Sequence, residues 1–217
     1  MRAKNTNYSY SVFIALVLLL VASCSTVPKQ TDLPVSSNID TLWQQHQAQL
    51  KSFHNWSAKG RAALRNANNN WSATLSWEQV ARDYHVRLSG PFGRGAVKID
   101  GVGDGVSVHI AGQQAVVADD AETLLNQQLG WTVPVKSLPY WLRGLPAPGD
   151  VENLSLNTDG VAEYFEQQGW RIEYSAYRPL RTINLPRKIQ IENASLRLKL
   201  VLDRWHIDEV AAVSALP

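Results

Sequence analysis

The chain has 217 residues, with 21 Lys or Arg against 19 Asp or Glu and a formal net charge of +2. Near balance, with no basic block anywhere, argues against nucleic acid as a partner. Charged residues are only 18% of the chain while tryptophan numbers 8, so large aromatic surfaces must pack in a core or line a site for an apolar ligand. The single cysteine leaves no structural disulfide, and a folded domain must be held by its core alone.

Residues 1–10 are polar, carry Arg2 and Lys4, and contain no acid; Val12 to Val21 is then an unbroken apolar run. A bilayer-spanning helix needs about 20 apolar residues, so this run is too short to span. A basic head, a short apolar middle and small residues after it form the pattern of a cleaved export signal, assigned to residues 1–23. The segment ends Val21-Ala22-Ser23-Cys24, which resembles the lipobox of bacterial lipoproteins. The chemistry suits it: a thiol takes a diacylglyceryl group as a stable thioether, and cleavage before Cys24 frees an amine for a further acyl chain. Each buried methylene contributes about 0.8 kcal/mol, so several chains anchor firmly where one holds only marginally. Cys24 is therefore the expected lipidation site. Ser25 follows it, and the absence of the aspartate that retains lipoproteins in the inner membrane implies, by resemblance, the outer membrane. The mature chain would have 217 − 23 = 194 residues, enough for one domain with a sizeable core.

Residues 24–38, with Pro28, Pro34 and no apolar periodicity, read as a flexible lipidated tether. A helix is expected from Asp40, with Leu42, Trp43, Leu50 and Phe53 mainly on one face. From Asn55 the period becomes two. Trp71, Ala73, Leu75 and Trp77 alternate with polar residues, as do Tyr84, Val86 and Leu88, then Val97 and Ile99, then Val106, Val108 and Ile110. These are half-buried antiparallel strands joined by hairpins, with a turn at Gly101–Gly105. A helical interlude follows. Asp119 is placed to cap a helix with Leu124, Leu125 and Leu129 on one face and Gly130 at its end, and 137–143 forms a second short helix. Strands then resume: Val161, Glu163 and Phe165 share one face, Trp170, Ile172, Tyr174 and Ala176 form the next strand, and Leu196, Leu198, Leu200 and Leu202 alternate with Arg197, Lys199, Val201 and Asp203. The tail, 206–217, has no pattern and is expected to be mobile. Strands, helices, then strands predict a mainly β (α+β) domain over 39–205: one curled antiparallel sheet with helices packed on its concave, apolar side.

Several strings in this domain resemble the LolB family of outer-membrane lipoprotein receptors. They are Asn55-Trp56 with Gly60-Arg61, the Trp71…Trp77 strand, Gly90-Pro91-Phe92-Gly93, and Leu129-Gly130-Trp131 with Val133-Pro134-Val135. Tyr140 to Pro146, Gln168-Gly169-Trp170, Leu185-Pro186 and Lys199-Leu200 follow in order. The resemblance implies an open antiparallel β half-barrel with a helical lid enclosing an apolar cavity. It also implies a function: accepting client lipoproteins from a LolA-like periplasmic carrier and incorporating them into outer-membrane lipid. Their acyl chains would be shielded in the cavity, with no nucleotide, no cofactor, no metal and a monomeric protein. The Pro91-Phe92-Gly93 loop matches a protruding loop with an exposed apolar tip that assists membrane insertion, although leucine is common where Phe92 stands. A phenylalanine folded back into the core is the bland reading of the same turn.

Alternation alone points Trp71, Trp77 and Trp170 at the concave face with Leu88 and Leu198, and these are the expected acyl-chain cavity residues. Sequence does not separate a solid core from one with space left in it. Arg61 and Arg143 lie within matched strings and could hold the lid or meet a headgroup or the carrier; surface solvation is their default. No catalytic constellation stands out. Asp119, Asp120 and Glu122 are better explained by helix capping, the five histidines are scattered, and no nucleophile elbow or phosphate loop is present. The reading is therefore not an enzyme. A structural or assembly lipoprotein that binds only protein partners is its alternative.

Overall fold

The structure, a computed structural model, describes residues 35–67, 70–90 and 95–208. The expected signal, Cys24, the tether up to residue 34, the Pro91-Phe92-Gly93 loop and residues 209–217 lie outside the described residues.

Eleven antiparallel strands form one sheet in the order β6-β5-β4-β3-β2-β1-β11-β10-β9-β8-β7. β1 (Asn55–Asn66), β2 (Asn70–Val80), β3 (Asp83–Ser89), β4 (Val97–Val102), β5 (Gly105–Ile110) and β6 (Val116–Ala118) step outwards one after another. β7 (Glu152–Leu156), β8 (Ala162–Gln167), β9 (Trp170–Leu180), β10 (Ile183–Glu192) and β11 (Leu196–Ile207) step back, and β11 closes against β1. Each half is a meander, in which neighbours in sequence are neighbours in space. β6 and β7 are the two edges, so the sheet is open.

Strict alternation builds the central strands. Ala58, Ala62 and Leu64 of β1, Ala73, Leu75 and Trp77 of β2, and Leu196, Leu198, Leu200 and Leu202 of β11 are buried, and the residues between them face water. Laid flat at about 4.8 Å per strand, such a sheet would be some 48 Å wide. Yet residues from β1–β5 and β8–β11 share a single apolar cluster, so the sheet curls around it. A bulge at Lys59/Gly60 helps β1 bend against β11. Only glycine fits there: a Cβ on Gly60 would lie 2.0 Å from the Val201 carbonyl oxygen.

Among the described residues, three helices fill the concave side: α1 (Val35–Ser52), α2 (Ala121–Leu129) and α3 (Leu138–Leu142). α1 packs on β10, burying Trp43 and Leu50, and its Leu42 lies against the Gly160 turn. α2 packs on β5 and β6 through Leu124 and Leu125.

Four details differ from the sequence reading. α1 begins at Val35, upstream of Asp40. The cap of α2 is Asp120 rather than Asp119, because it is Asp120 Oδ1 that accepts the Thr123 N–H at 2.7 Å. Glu163 is exposed although Val161 and Phe165 are buried: Ala162 and Tyr164 oppose the consecutive residues Leu156 and Ser155, so Glu163 is the extra residue of a bulge. Finally, His206 and Ile207 are not tail. They pair with Ser57 and Trp56 and extend β11 past residue 205.

Candidate functional site

Between the sheet and the α2–α3 segment lies an apolar cavity of about 80 Å³. Its floor comes from the inward residues of five strands. Ala62 and Leu64 of β1, Trp71, Leu75 and Trp77 of β2, and Tyr84, Val86 and Leu88 of β3 form most of it, with Ile99 of β4 and Leu198 and Leu200 of β11. Its roof is Leu125 of α2, then Trp131, Val133 and Val135 of the connecting segment, then Leu138 and Leu142 of α3. The rings of Trp71 and Trp131 meet across the rim, 5.1 Å between centroids. Tyr84 is the one titratable group in this wall, and burial pushes its phenol up to about 12, so it stays neutral.

The roof is attached differently at its two ends. Around α3 the attachment is a hydrogen-bond network. Gln167, buried on β8, accepts from Trp141 Nε1 at 2.9 Å and from the Ala147 N–H at 2.9 Å, and donates to the Ala147 carbonyl at 2.8 Å. Tyr174 on β9 donates to the Trp141 carbonyl at 2.7 Å, and Ser137 donates to Gln168 at 2.9 Å. Arg143 donates to the carbonyls of Leu50 and Phe53 at the end of α1, at 2.9 and 3.1 Å, and stacks over Trp56 and Tyr140. Burial moves its pKa downwards, and no carboxylate pairs with it among the described residues. Arg143 is thus a strut between lid, helix and sheet. Around α2 the polar bonds are internal. The Asp120 cap holds the helix start, hydrogen bonding from Thr123 keeps that carboxyl below its usual range, and Asn126 bonds Thr132. What joins α2 to the sheet is apolar contact.

Of the expected cavity residues, Trp71, Trp77, Leu88 and Leu198 line this space. Trp170 does not: it is buried under the α3 end, against Trp141 with centroids 6.3 Å apart. Phe92, with Pro91 and Gly93, lies outside the described residues. Arg61 is exposed on the outer face, 3.8 Å from Asp203. The roof residues were not among the expected cavity residues, and the Gln167 network was absent from the sequence reading. Trp131, Val133 and Val135 do alternate, which is a usable signal, but Gln167 stands among other polar residues of its strand, Glu163 and Glu166, and carries none. His46 is also buried, beside Trp43, with no hydrogen-bond partner for Nε2, and burial lowers its pKa to about 4.

Residues 54–205 match the family model described as "Outer membrane lipoprotein LolB". A LolB of Pseudomonas paraeruginosa is 37% identical over 191 residues, covering 88% of this chain and 93% of its own length. One from Nitrosococcus oceani is 36% identical, covering 89% and 96%. Among solved structures, a LolA superfamily protein of Nitrosomonas europaea shares the fold with a TM-score of 0.50 at 11% identity, covering 78% of this chain and 93% of that one.

Proposed function

The chain belongs to the LolB family of outer-membrane lipoproteins, and from that premise we propose that it receives client lipoproteins at the outer membrane, holding their acyl chains in the cavity beneath α2. The observation that carries this reading is a wholly apolar space inside a half-barrel of the right family, with a roof that only apolar contact holds at one end. Each methylene taken out of water contributes about 0.8 kcal/mol, so a carrier and an acceptor must both cover the chains, and transfer runs towards the one that covers them better. A LolA-like periplasmic carrier is the donor in this scheme. The transfer needs no nucleotide, because the difference in apolar burial drives it.

The cavity as it stands is too small for a long chain. At about 80 Å³ it falls below the roughly 150 Å³ that accommodates benzene in an engineered apolar cavity. Acceptance therefore requires the roof to yield, and the α2 end has the fewest directional bonds to lose. Lipidation at Cys24 anchors the domain, and the Pro91-Phe92-Gly93 loop touches the bilayer when the client is released.

Transfer from a loaded carrier to outer-membrane vesicles tests the scheme. Phe92→Glu is expected to leave folding and acceptance from the carrier nearly intact and to impair deposition into the membrane. Deposition at the wild-type rate would remove the loop from the mechanism. Failure of the wild-type domain to bind a fluorescent fatty acid saturably at micromolar concentration would remove the cavity.

A further inference from the structure

The outer face of the sheet holds a concentration of positive charge that folding does not explain. Register places Lys98, Arg87, Ser76, Lys59 and Arg204 in one row across β4, β3, β2, β1 and β11. The next row, towards the Ser89 end of β3, contains Thr74, Arg61 and Lys188, and the row after that contains Lys199. Lys98 stands directly opposite Arg87, and Lys59 opposite Arg204, an arrangement in which like charges repel and the sheet loses stability. The carboxylates within these rows are Asp203, which Arg61 and Arg187 already approach at 3.8 and 3.3 Å, and Glu173, two strands beyond Lys199; the neighbouring row beside Lys98 and Arg87 adds Asp100 and Glu78. Lys59, Arg87, Lys98, Lys199 and Arg204 are exposed and make no ion pair among the described residues.

With strands about 4.8 Å apart and rows about 6.8 Å apart, the patch, from β4 to β10, measures roughly 24 by 14 Å. It lies on the side of the sheet opposite the helices and the cavity. It also borders the strand ends Ser89 and Val97.

We propose that this face docks onto anionic phospholipid headgroups of the membrane that carries the chain's own lipid anchor, so that the cavity and its lid face away from the bilayer. The occupant follows from charge and tethering. A fixed array of cations that outnumbers the carboxylates beside it suits a surface of phosphates, whose attraction acts within a Debye length. From Cys24 to Val35 there are 35 − 24 = 11 residues, at most about 40 Å of chain, which keeps the patch within reach of that surface throughout. The anchor sets the distance and the patch sets the orientation. This rests on the proposed function for the anchor and for the purpose of the orientation: the lid stays open to a carrier arriving from the periplasm.

The test uses the full lipidated chain in vesicles. With Cys24 consumed by lipid, a cysteine introduced at exposed Thr74, inside the patch, or at exposed Gln127, on α2, is the only free thiol for a fluorophore. A headgroup-bound quencher is expected to dim the Thr74 label about threefold or more when phosphatidylglycerol is mixed into phosphatidylcholine, and to leave the Gln127 label unchanged. Salt near 1 M, which screens charge over about 3 Å, is expected to abolish the difference. The triple variant Arg87→Glu, Lys98→Glu, Lys199→Glu is expected to lose it while still binding fluorescent fatty acid.

Equal quenching in both lipid mixtures, or quenching retained by the triple variant, overturns the proposal. So does a triple variant that keeps its orientation but receives clients more slowly from the carrier in solution, since the cations would then serve an acidic protein. Orientation without fatty-acid binding by the wild type would overturn the cavity reading and leave the docking face standing.

Discussion

The two ends of the lid are built on opposite principles. The α3 end is fastened by directional bonds from β8, β9 and α1 that meet at Gln167, Tyr174 and Arg143. The α2 end rests on the sheet through Leu124, Leu125 and the Trp71–Trp131 contact. A buried hydrogen bond tolerates little displacement, because a separated donor in an apolar setting costs about 1–3 kcal/mol. Apolar contact has no such threshold, and a ligand with methylenes of its own can replace it. The difference teaches where a chain can enter: the cavity lies under the end whose attachments an acyl chain can imitate. The α3 end keeps the lid in register meanwhile.

The comparison breaks most visibly at Gln167. Gln167→Leu preserves volume but strands Trp141 Nε1 and both the N–H and the carbonyl of Ala147, and is expected to cost about 3–6 kcal/mol in urea unfolding. Leu125→Ala, on the other end, is expected to cost about 2–4 kcal/mol and to bind a fatty-acid probe at least as tightly, because it enlarges the space the ligand needs. A mild Gln167→Leu, or a Leu125→Ala that no longer binds, would reverse the assignment of rigid and yielding ends.

His46 offers a smaller probe of the rigid side. Its imidazole is neutral in the fold with a pKa of about 4, against 6.5 unfolded. Between these values the unfolded chain binds the extra proton, so stability is full above pH 6.5 and falls on acidification until about pH 4, by at most about 3 kcal/mol. His46→Phe is expected to flatten that part of the pH–stability curve. A slope unchanged in the variant would place the titration elsewhere.

Alternation was the most legible feature of the sequence, because one face of the sheet meets water and the other does not. The strands around Trp71–Trp77 and Leu196–Leu202 follow from it directly. β6 and β7 were not visible for the same reason: they are edges, and β7 has almost no buried residue to contrast with its exposed ones. The Glu163 bulge interrupts the period, and a bulge is set by its partner strand rather than by its own residues. Trp170 shows the limit within the site. Its inward direction was readable, but in a sheet eleven strands wide the inner face runs under both ends of the lid, and direction does not say which. The roof was legible only in part, since Trp131, Val133 and Val135 belong to no regular element, and their burial depends on a lid position fixed by distant parts of the chain, Gln167 and the Leu50 and Phe53 carbonyls that hold Arg143.

The central claim is that acyl chains occupy the space beneath α2. Photo-crosslinking answers it most directly: a fatty acid bearing a diazirine near its methyl end is bound to the protein, irradiated, and the modified residues are mapped by mass spectrometry. The account predicts labels on Trp71, Leu125, Trp131 and Leu198, lost when unlabelled fatty acid competes. Labels concentrated on Trp141 and Trp170, or scattered over the outer face and insensitive to competition, would contradict it.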